Sequence, residues 1–332
     1  MKSKIRFGVI GCSSIAKKSA IPSIIHAKNS TLEMIGSRTV QKSKKFAKEF
    51  SCPNFGTYND VLKNDNVDAV YISLPISLHE KWAIEAAKHG KHILCEKSTS
   101  LSYSSARKIS KECKKNNVRI MENFTFQFHP QHKKILRLIK TNTIGVPHTL
   151  SAKYGFTLPF SKKNFRFNKK LGGGSLNDVG CYLISTCMFI FQDVPKSIFC
   201  NLNIDKKLGI DISGNILLTF KNNKTGFLSF GYENYFQSTY SMWGNKGFMK
   251  CERAFNVTNN MRPRLSVYKN DKMKQFIIPE ADQFKLTIEN FSFAIQKKSL
   301  AINLEKEFLN QALVMDAARK SNMKNSVIKI KN

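Results

Sequence analysis

Residues 5–122 alternate short β-branched runs with helical periodicity. Ile5–Ile10 reads as a strand and Ile15–Ala27 as a helix. The pair recurs at Leu32–Ser37 and Ser43–Phe50, at Ala69–Leu74 and His79–His89, and at His92–Cys95 and Ser104–Asn116, and Arg119–Glu122 closes the series. Parallel strands need a crossover connection, and a sheet covered on both faces reads as continuous apolar runs, so this rhythm predicts a doubly wound parallel sheet. After about Asn123 the period changes. One amphipathic helix (about Gln131–Lys140) leads into alternating strands near Thr149–Phe156, Ile198–Ile204, Gly214–Phe220, Thr225–Tyr232, Phe248–Cys251 and Leu265–Tyr268. A glycine-opened helix (about Ser175–Phe191) lies among them, and helices near Phe284–Gln296 and Glu305–Lys320 follow. The expected fold class is α/β, with a doubly wound parallel sheet in residues 1–123 and an α+β domain with a large, mainly antiparallel sheet in residues 124–332. The Lys/Asn-rich stretch from Lys320 to Asn332 reads as a frayed tail.

Composition adds limits. The 332 residues are 42% hydrophobic, enough for two cores, which excludes a disordered chain or a disulfide scaffold. Fifty-four Lys and Arg against 23 Asp and Glu leave a net charge of +31, which attracts polyanions such as nucleic acid, acidic lipid or phosphorylated small molecules without choosing among them. The basic residues are mostly Lys and run through every segment, which fits a solvated surface better than a nucleic-acid-binding face, so no nucleic-acid partner is expected. Cysteines at 12, 52, 95, 113, 181, 187, 200 and 251 form no CxxC pair and no cluster at zinc spacing; they read as reduced, mostly buried thiols, with no metal site. Val9-Ile10-Gly11-Cys12 has the look of a lipoprotein box, but the apolar run before it is short and broken by Arg6. No apolar stretch approaches about 18 residues, so a cytoplasmic protein with no membrane partner is expected.

Candidate chemistry gathers at strand ends. Ile5–Ile10 runs into Gly11-Cys12-Ser13-Ser14-Ile15-Ala16 and then a helix, the context of a dinucleotide-binding turn with Ser13 in place of the middle glycine. The next strand ends in Gly36-Ser37-Arg38, where an NAD-binding chain would carry a carboxylate for the ribose 2′-hydroxyl. A hydroxyl followed by a guanidinium suits a 2′-phosphate instead, so NADP(H) is expected over NAD(H). Leu74, Pro75 and His79 follow one strand and Glu96 and Lys97 follow another, all at the carboxyl edge where open α/β sheets bind ligands. A lysine there can hydrogen-bond a substrate carbonyl while staying cationic.

Six segments stand in the order and spacing of one family. They are Gly11 to Ala16, Ser37-Arg38, Leu74 to His79, Gly90 to Lys97, Phe128-His129-Pro130-Gln131, and Gly172-Gly173-Gly174-Ser175-Leu176-Asn177-Asp178-Val179-Gly180-Cys181-Tyr182. Together they resemble the glucose-fructose oxidoreductase / inositol dehydrogenase (Gfo/Idh/MocA) family. The resemblance implies an N-terminal Rossmann domain, a C-terminal domain whose open sheet often forms an oligomer interface, and pyridine-nucleotide-dependent redox chemistry on sugars, polyols and related alcohols. It places Lys97 on the lysine of the family's E-K-P motif, and Asp178 and Tyr182 on its D-x-x-x-H/Y pair. Ser98 replaces the proline, which loosens the turn that fixes Lys97. Tyr182 stands where inositol dehydrogenase-like members carry histidine; a phenol is protonated near neutrality and favours reduction of a ketone.

Within the family, the opening Gly-Cys-x-x-Ile-Ala, Gly244-Asn245-Lys246-Gly247 and Cys251-Glu252-Arg253-Ala254-Phe255 look most like nucleotide-sugar 3-ketoreductases. Dihydrodiol and xylose dehydrogenases share Tyr182 and the Phe-His-Pro segment. The expectation is an NADP(H)-dependent oxidoreductase, homo-oligomeric as a dimer or tetramer, that reduces a keto group on a nucleotide-linked sugar. The rival of another class is a non-catalytic nucleotide sensor.

Overall fold

The computed structural model describes residues 3–297 and 302–331. The chain divides into two compact units, one from residues up to 125 together with 284–309, the other from 126–283 together with 310 onward.

The first unit is built on six strands: β1 (Ile5–Ile10), β2 (Ser30–Gly36), β3 (Asn54–Gly56), β4 (Ala69–Ile72), β5 (His92–Cys95) and β6 (Ile120–Glu122). Their order is β3-β2-β1-β4-β5-β6 and every pairing is parallel. The winding reverses between β1 and β4, which opens a crevice at the carboxyl ends of those two strands. Phe7, Val9 and Ile10 of β1 and every residue of β4 are buried, as strands covered on both faces require. The crossovers carry α1 (Ile21–His26), α2 (Val40–Glu49), α3 (Tyr58–Lys63), α4 (His79–Lys88) and α5 (Tyr103–Lys115). α3 begins in a capping box, with Thr57 Oγ1 accepting from the Asp60 amide and the Asp60 carboxylate accepting from the Thr57 amide. β3 and α3 are the elements the periodicity does not reveal, because each is too short to show a repeat.

The second unit contains nine strands in the order β14-β13-β12-β11-β7-β10-β9-β8-β15. They are β7 (Pro147–Thr157), β8 (Ser197–Asp205), β9 (Ile210–Thr219), β10 (Thr225–Gly231), β11 (Glu233–Gly244), β12 (Gly247–Cys251), β13 (Arg264–Lys269), β14 (Lys272–Ile277) and β15 (Ile328–Lys329). Only β7 and β10 pair in parallel. Leu150, Leu228, Met242, Met249 and Val267 line the buried face, on which α7 (Cys181–Phe191) also contributes core, while Phe227, Trp243 and Tyr268 stand exposed on the other. α6 (Pro130–Lys140) starts at Pro130, with the His129 ring accepting from the Gln131 amide.

Three expectations change. The division at 123/124 assigns 284–309 to the second domain, whereas the described residues of that stretch belong to the first unit. There α8 (Gln283–Gln296) buries Phe291 with its ring 6.4 Å from that of Phe7, and Asn29 Nδ2 donates to the Glu289 carbonyl at 2.9 Å. The tail is not frayed over its described length: α9 (Ile302–Lys324) continues to Lys324, and β15 pairs Ile328 with Ile198. Finally, the stretch 169–191 is long and apolar enough to span a membrane by length and composition, yet 83% of its most apolar window is buried inside the protein. All eight cysteines are buried thiols outside any disulfide. Among the described residues no group of three His, Cys, Asp or Glu is placed to hold a metal.

Candidate active site

The turn after β1 depends on Gly11. Its φ is +112°, a region L side chains avoid, and a Cβ there would stand 2.9 Å from Leu74 Cδ2 and 3.0 Å from the Ser73 carbonyl. Its amide donates to the Gly36 carbonyl at 3.1 Å and its carbonyl accepts from Ser73 Oγ at 2.8 Å, so the end of β1 is fastened to the ends of both neighbours. Ser13, at the middle glycine position, uses its hydroxyl as a helix cap, accepting from the Ala16 amide at 3.1 Å. Cys12 is buried, which raises its thiol pKa, whereas Ser14 and Ile15 are exposed at the start of the π-helical turn Ala16–Ala20 that precedes α1. At the end of β2, Ser37 is buried with its amide on the Gly56 carbonyl at 3.1 Å, and Arg38 is exposed. A backbone cradle that a Cβ would fill, a helix start and an exposed guanidinium in place of a carboxylate fit a dinucleotide that carries a 2′-phosphate.

Lys97 follows β5 and is half-buried. The Lys97–Ser98 peptide bond is cis. In place of the missing proline, side chains from elsewhere hold this turn. His79 Nδ1 lies 3.0 Å from the Ser98 carbonyl and its Nε2 2.8 Å from that of Leu74, while the Thr99 amide donates to Glu122 Oε1 at 2.7 Å. Burial holds the His79 pKa down to about 4. Glu96 Oε1 accepts from the Tyr71 hydroxyl at 2.7 Å and from Asn123 Nδ2 at 2.6 Å, and burial raises its pKa. Burial pushes Glu122 up to about 7, and the Lys97 charge opposes that rise in both carboxyls. The ammonium of Lys97 therefore has two buried carboxyls in its electrostatic field.

Asp178 and Tyr182 lie in the second unit, on the π-helical turn Leu176–Gly180 and the first turn of α7. The glycine run before them is a steric requirement. Gly172 and Gly174 have φ of +84° and +117°, a Cβ on Gly173 would collide with the Arg166 carbonyl, and one on Gly174 would collide with Asp211. The Gly174 amide donates to the Arg166 carbonyl at 3.0 Å, and Asp211 Oδ2 accepts from Ser175 Oγ at 2.8 Å and from the Leu176 amide, capping the turn. The Arg166 guanidinium then reaches back, its Nε 2.6 Å from Asp178 Oδ2. Tyr182 is half-exposed, its ring 5.4 Å from Tyr154, 5.6 Å from Phe255 and 5.8 Å from Phe126 by centroids, so aromatic walls fix its direction.

The twelve first-unit candidates (Gly11, Cys12, Ser13, Ser14, Ile15, Ser37, Arg38, Leu74, Pro75, His79, Glu96 and Lys97) all fall on loops at the carboxyl ends of β1, β2, β4 and β5 or at the helix starts that follow. Asp178 and Tyr182 share one helical stretch of the second unit. Sequence reasoning missed Arg166 and Glu122. Arg166 sits in an aperiodic stretch among Lys162, Lys163, Lys169 and Lys170, where nothing marks one cation as special. Glu122 carried a signal, being a carboxylate at the end of a buried strand, next to the segment that ends in Lys97.

Residues 5–124 match the oxidoreductase family with an NAD-binding Rossmann fold, GFO/IDH/MocA, and residues 132–250 match the GFO/IDH/MocA C-terminal domain. The chain is similar to a dTDP-3,4-didehydro-2,6-dideoxy-alpha-D-glucose 3-reductase of Actinomadura kijaniata, at 31% identity over 95% of each chain. It is also similar to D-xylose 1-dehydrogenase (NADP(+)) 2 of Haloferax volcanii, at 27% identity over 87% of this chain and 89% of that one. Among solved structures, KijD10, a 3-ketoreductase from Actinomadura kijaniata in complex with NADP and TDP-benzene, superposes with a TM-score of 0.91 at 29% identity, covering 96% of this chain and 98% of that one. The turn at Gly11, the lysine after β5 and the Asp178–Tyr182 helix start thus stand in a chain that belongs to the GFO/IDH/MocA family of oxidoreductases.

Proposed function

We propose that this protein uses NADPH to reduce a keto group on a nucleotide-linked hexose. The observation that carries the reading is a tyrosine on a preformed turn, Tyr182 beside Asp178, in a chain 31% identical over 95% of its length to a dTDP-keto-sugar 3-reductase. Gly11, Ser13, Ser14 and the amides at the start of the following helix take the pyrophosphate, and Ser37 with Arg38 takes the 2′-phosphate. When bound, the dihydronicotinamide supplies a hydride to the carbonyl carbon. Tyr182 Oη gives its proton to the oxygen on which charge develops, and Lys97 Nζ stabilises that charge. Asp178, ion-paired with Arg166, is held as a carboxylate, so it orients substrate hydroxyls or the phenol and is not the proton source. Glu96 and His79 act on Lys97 through the turn that carries it.

The same reading makes the protein a cytoplasmic homo-oligomer. Eight buried thiols outside any disulfide suit a reducing compartment, and Phe227, Trp243 and Tyr268 on the outer face of the nine-stranded sheet suit burial against another copy. The likeness to a D-xylose dehydrogenase supports a second reading, NADP+-dependent oxidation of a free sugar or dihydrodiol. Purified protein assayed for NADPH loss against a panel of dTDP-keto-sugars, and for NADPH formation with xylose and dihydrodiols, separates the two. Turnover of free sugars alone overturns the first, and absence of any turnover with retained NADPH binding returns the protein to the class of sensors.

A further inference from the structure

We infer that Arg166 is a positioning residue for the proton transfer, fixing Asp178 as a carboxylate and balancing its charge so that the Tyr182 phenol can give up its proton. The inference rests on the reading of Tyr182 as proton donor and adds a group to it.

The geometry has three parts. First, Arg166 is held by its backbone independently of its side chain: its carbonyl accepts from the Gly174 amide at 3.0 Å, its amide donates to Asn164 Oδ1 at 3.2 Å, and the absence of a Cβ on Gly173 is what lets that carbonyl approach. Second, its Nε meets Asp178 Oδ2 at 2.6 Å, with the Asp178 side chain 9% exposed and that of Arg166 34%, so the carboxylate is shielded from solvent while the guanidinium is partly open to it. Third, Asp178 lies one helical turn before Tyr182, and the guanidinium lies within electrostatic reach of the Tyr182 and Tyr232 phenols.

The charges around Tyr182 then decide the sign. Asp178, on the same helical stretch, opposes formation of a phenolate, and Arg166, from the 165–167 turn, cancels that opposition. Tyr154 of β7 packs edge-on against the ring, and Tyr232, between β10 and β11, directs its own hydroxyl to the Gly174 carbonyl at 2.9 Å. His132 of α6 lies behind Phe126, neutral, and its Nδ1 is 2.9 Å from the Tyr240 hydroxyl. Without Arg166, the charge of the Asp178 carboxylate, one helical turn before Tyr182, goes uncompensated, and proton donation becomes harder as negative charge forms.

The test compares wild type with Arg166→Gln, with Arg166→Met as a second neutral variant that keeps the aliphatic stem, and with Arg166→Lys, which keeps the charge. Two readouts are used: kcat against pH in the reductive direction, and ultraviolet difference titration of the Tyr182 phenol against Tyr182→Phe, made without substrate or cofactor. The neutral variants should lower kcat about 10–100-fold with NADPH affinity kept within about twofold, and should move the alkaline limb and the phenol titration up by about one pH unit. Arg166→Lys should leave both near their wild-type pH. Neutral variants whose phenol titrates as in wild type, whatever their kcat, overturn the inference and leave Arg166 a structural residue. If the wild type reduces none of the keto-sugars, the proposed function fails separately, and the titration still decides the role of Arg166.

Discussion

His79 bridges two loop carbonyls, lying 2.8 Å from that of Leu74 and 3.0 Å from that of Ser98, so one buried ring ties the loop after β4 to the turn that carries Lys97. A neutral imidazole has one N–H to donate and serves one of these carbonyls at a time. His79→Ala removes the tie and leaves a cavity beside two desolvated carbonyls. The variant should lose about 2–4 kcal/mol of stability, read from urea unfolding, and its kcat should fall with cofactor affinity retained. A loss below about 0.5 kcal/mol, within the range of ordinary surface substitutions, contradicts this account of the turn.

Three buried histidines and the half-buried His92 give a defined acid response. Burial lowers the folded pKa of His79, His92 and His129 to about 4 and of His132 to about 3, from an ordinary value of 6.5. Each contributes stability that is fully present above pH 6.5 and is lost as pH falls toward the folded value, because only the unfolded chain takes up the proton there. Glu122, pushed up to about 7, works the other way: its contribution is present below its unfolded pKa and is lost as pH rises through 7. Glu96, Asp211 and Glu307, which burial also raises, act in the same sense as Glu122, so the fall expected between pH 6.5 and 4.5, about 1.4 kcal/mol per pH unit for each fully titrating histidine, is reduced by what these carboxyls regain. Urea midpoints measured across that window check the slope, and a flat profile is inconsistent with four neutral rings, three of them buried.

Cofactor choice follows from the end of β2. Arg38 is exposed beside buried Ser37 with no carboxylate in the Gly36-Ser37-Arg38 segment, so kcat/KM should favour NADPH over NADH. Arg38→Asp removes a charge-assisted contact of about 1.5–3 kcal/mol and should erase or invert the preference by roughly 10–100-fold. Equal kcat/KM for the two cofactors in the wild type goes against the assignment.

The roles of Tyr182 and Lys97 separate by truncation. Tyr182→Phe keeps the ring between Tyr154 and Phe255 and removes only the transferable proton, so kcat should fall about 10²–10⁴-fold with NADPH affinity unchanged. Lys97→Ala should be at least as damaging, and the double variant should lose less than the product of the two, since the proposed function gives both the same oxygen to act on. Near-wild-type turnover by Tyr182→Phe would hand the proton to Lys97 or water.

Gly173 offers a test that replaces no titrating side chain. Gly173→Ala drives a methyl into the Arg166 carbonyl, so the 165–167 turn must shift and carry the guanidinium off Asp178. Activity should fall at least tenfold while NADPH binding persists, since a displaced positioning group acts on the reacting geometry. Wild-type turnover by Gly173→Ala would show that the turn tolerates the methyl.

The parallel sheet was legible because each crossover repeats a strand and a helix, and the motif positions at Gly11, Lys97 and Tyr182 lie at the ends of strongly patterned elements. What stayed hidden has physical reasons. Arg166 acquires its partner only through a loop folded by Gly172, Gly173 and Gly174, and a loop has no period to read. The hold on Lys97 passes from the missing proline to His79 and Glu122, residues 18 and 25 positions away in sequence. α8 shows an amphipathic pattern but no signal of which core it completes, and β15 is two residues long, too short to register.

The return of α8 to the first unit bears on synthesis. Phe291 fills space beside Phe7 of the first strand, so the N-terminal sheet cannot complete its core as the ribosome releases it, and must wait until nearly the whole polypeptide has emerged. An N-terminal fragment ending at residue 123, or a nascent chain stalled before α8, leaves that phenylalanine neighbour absent and apolar surface open to chaperones.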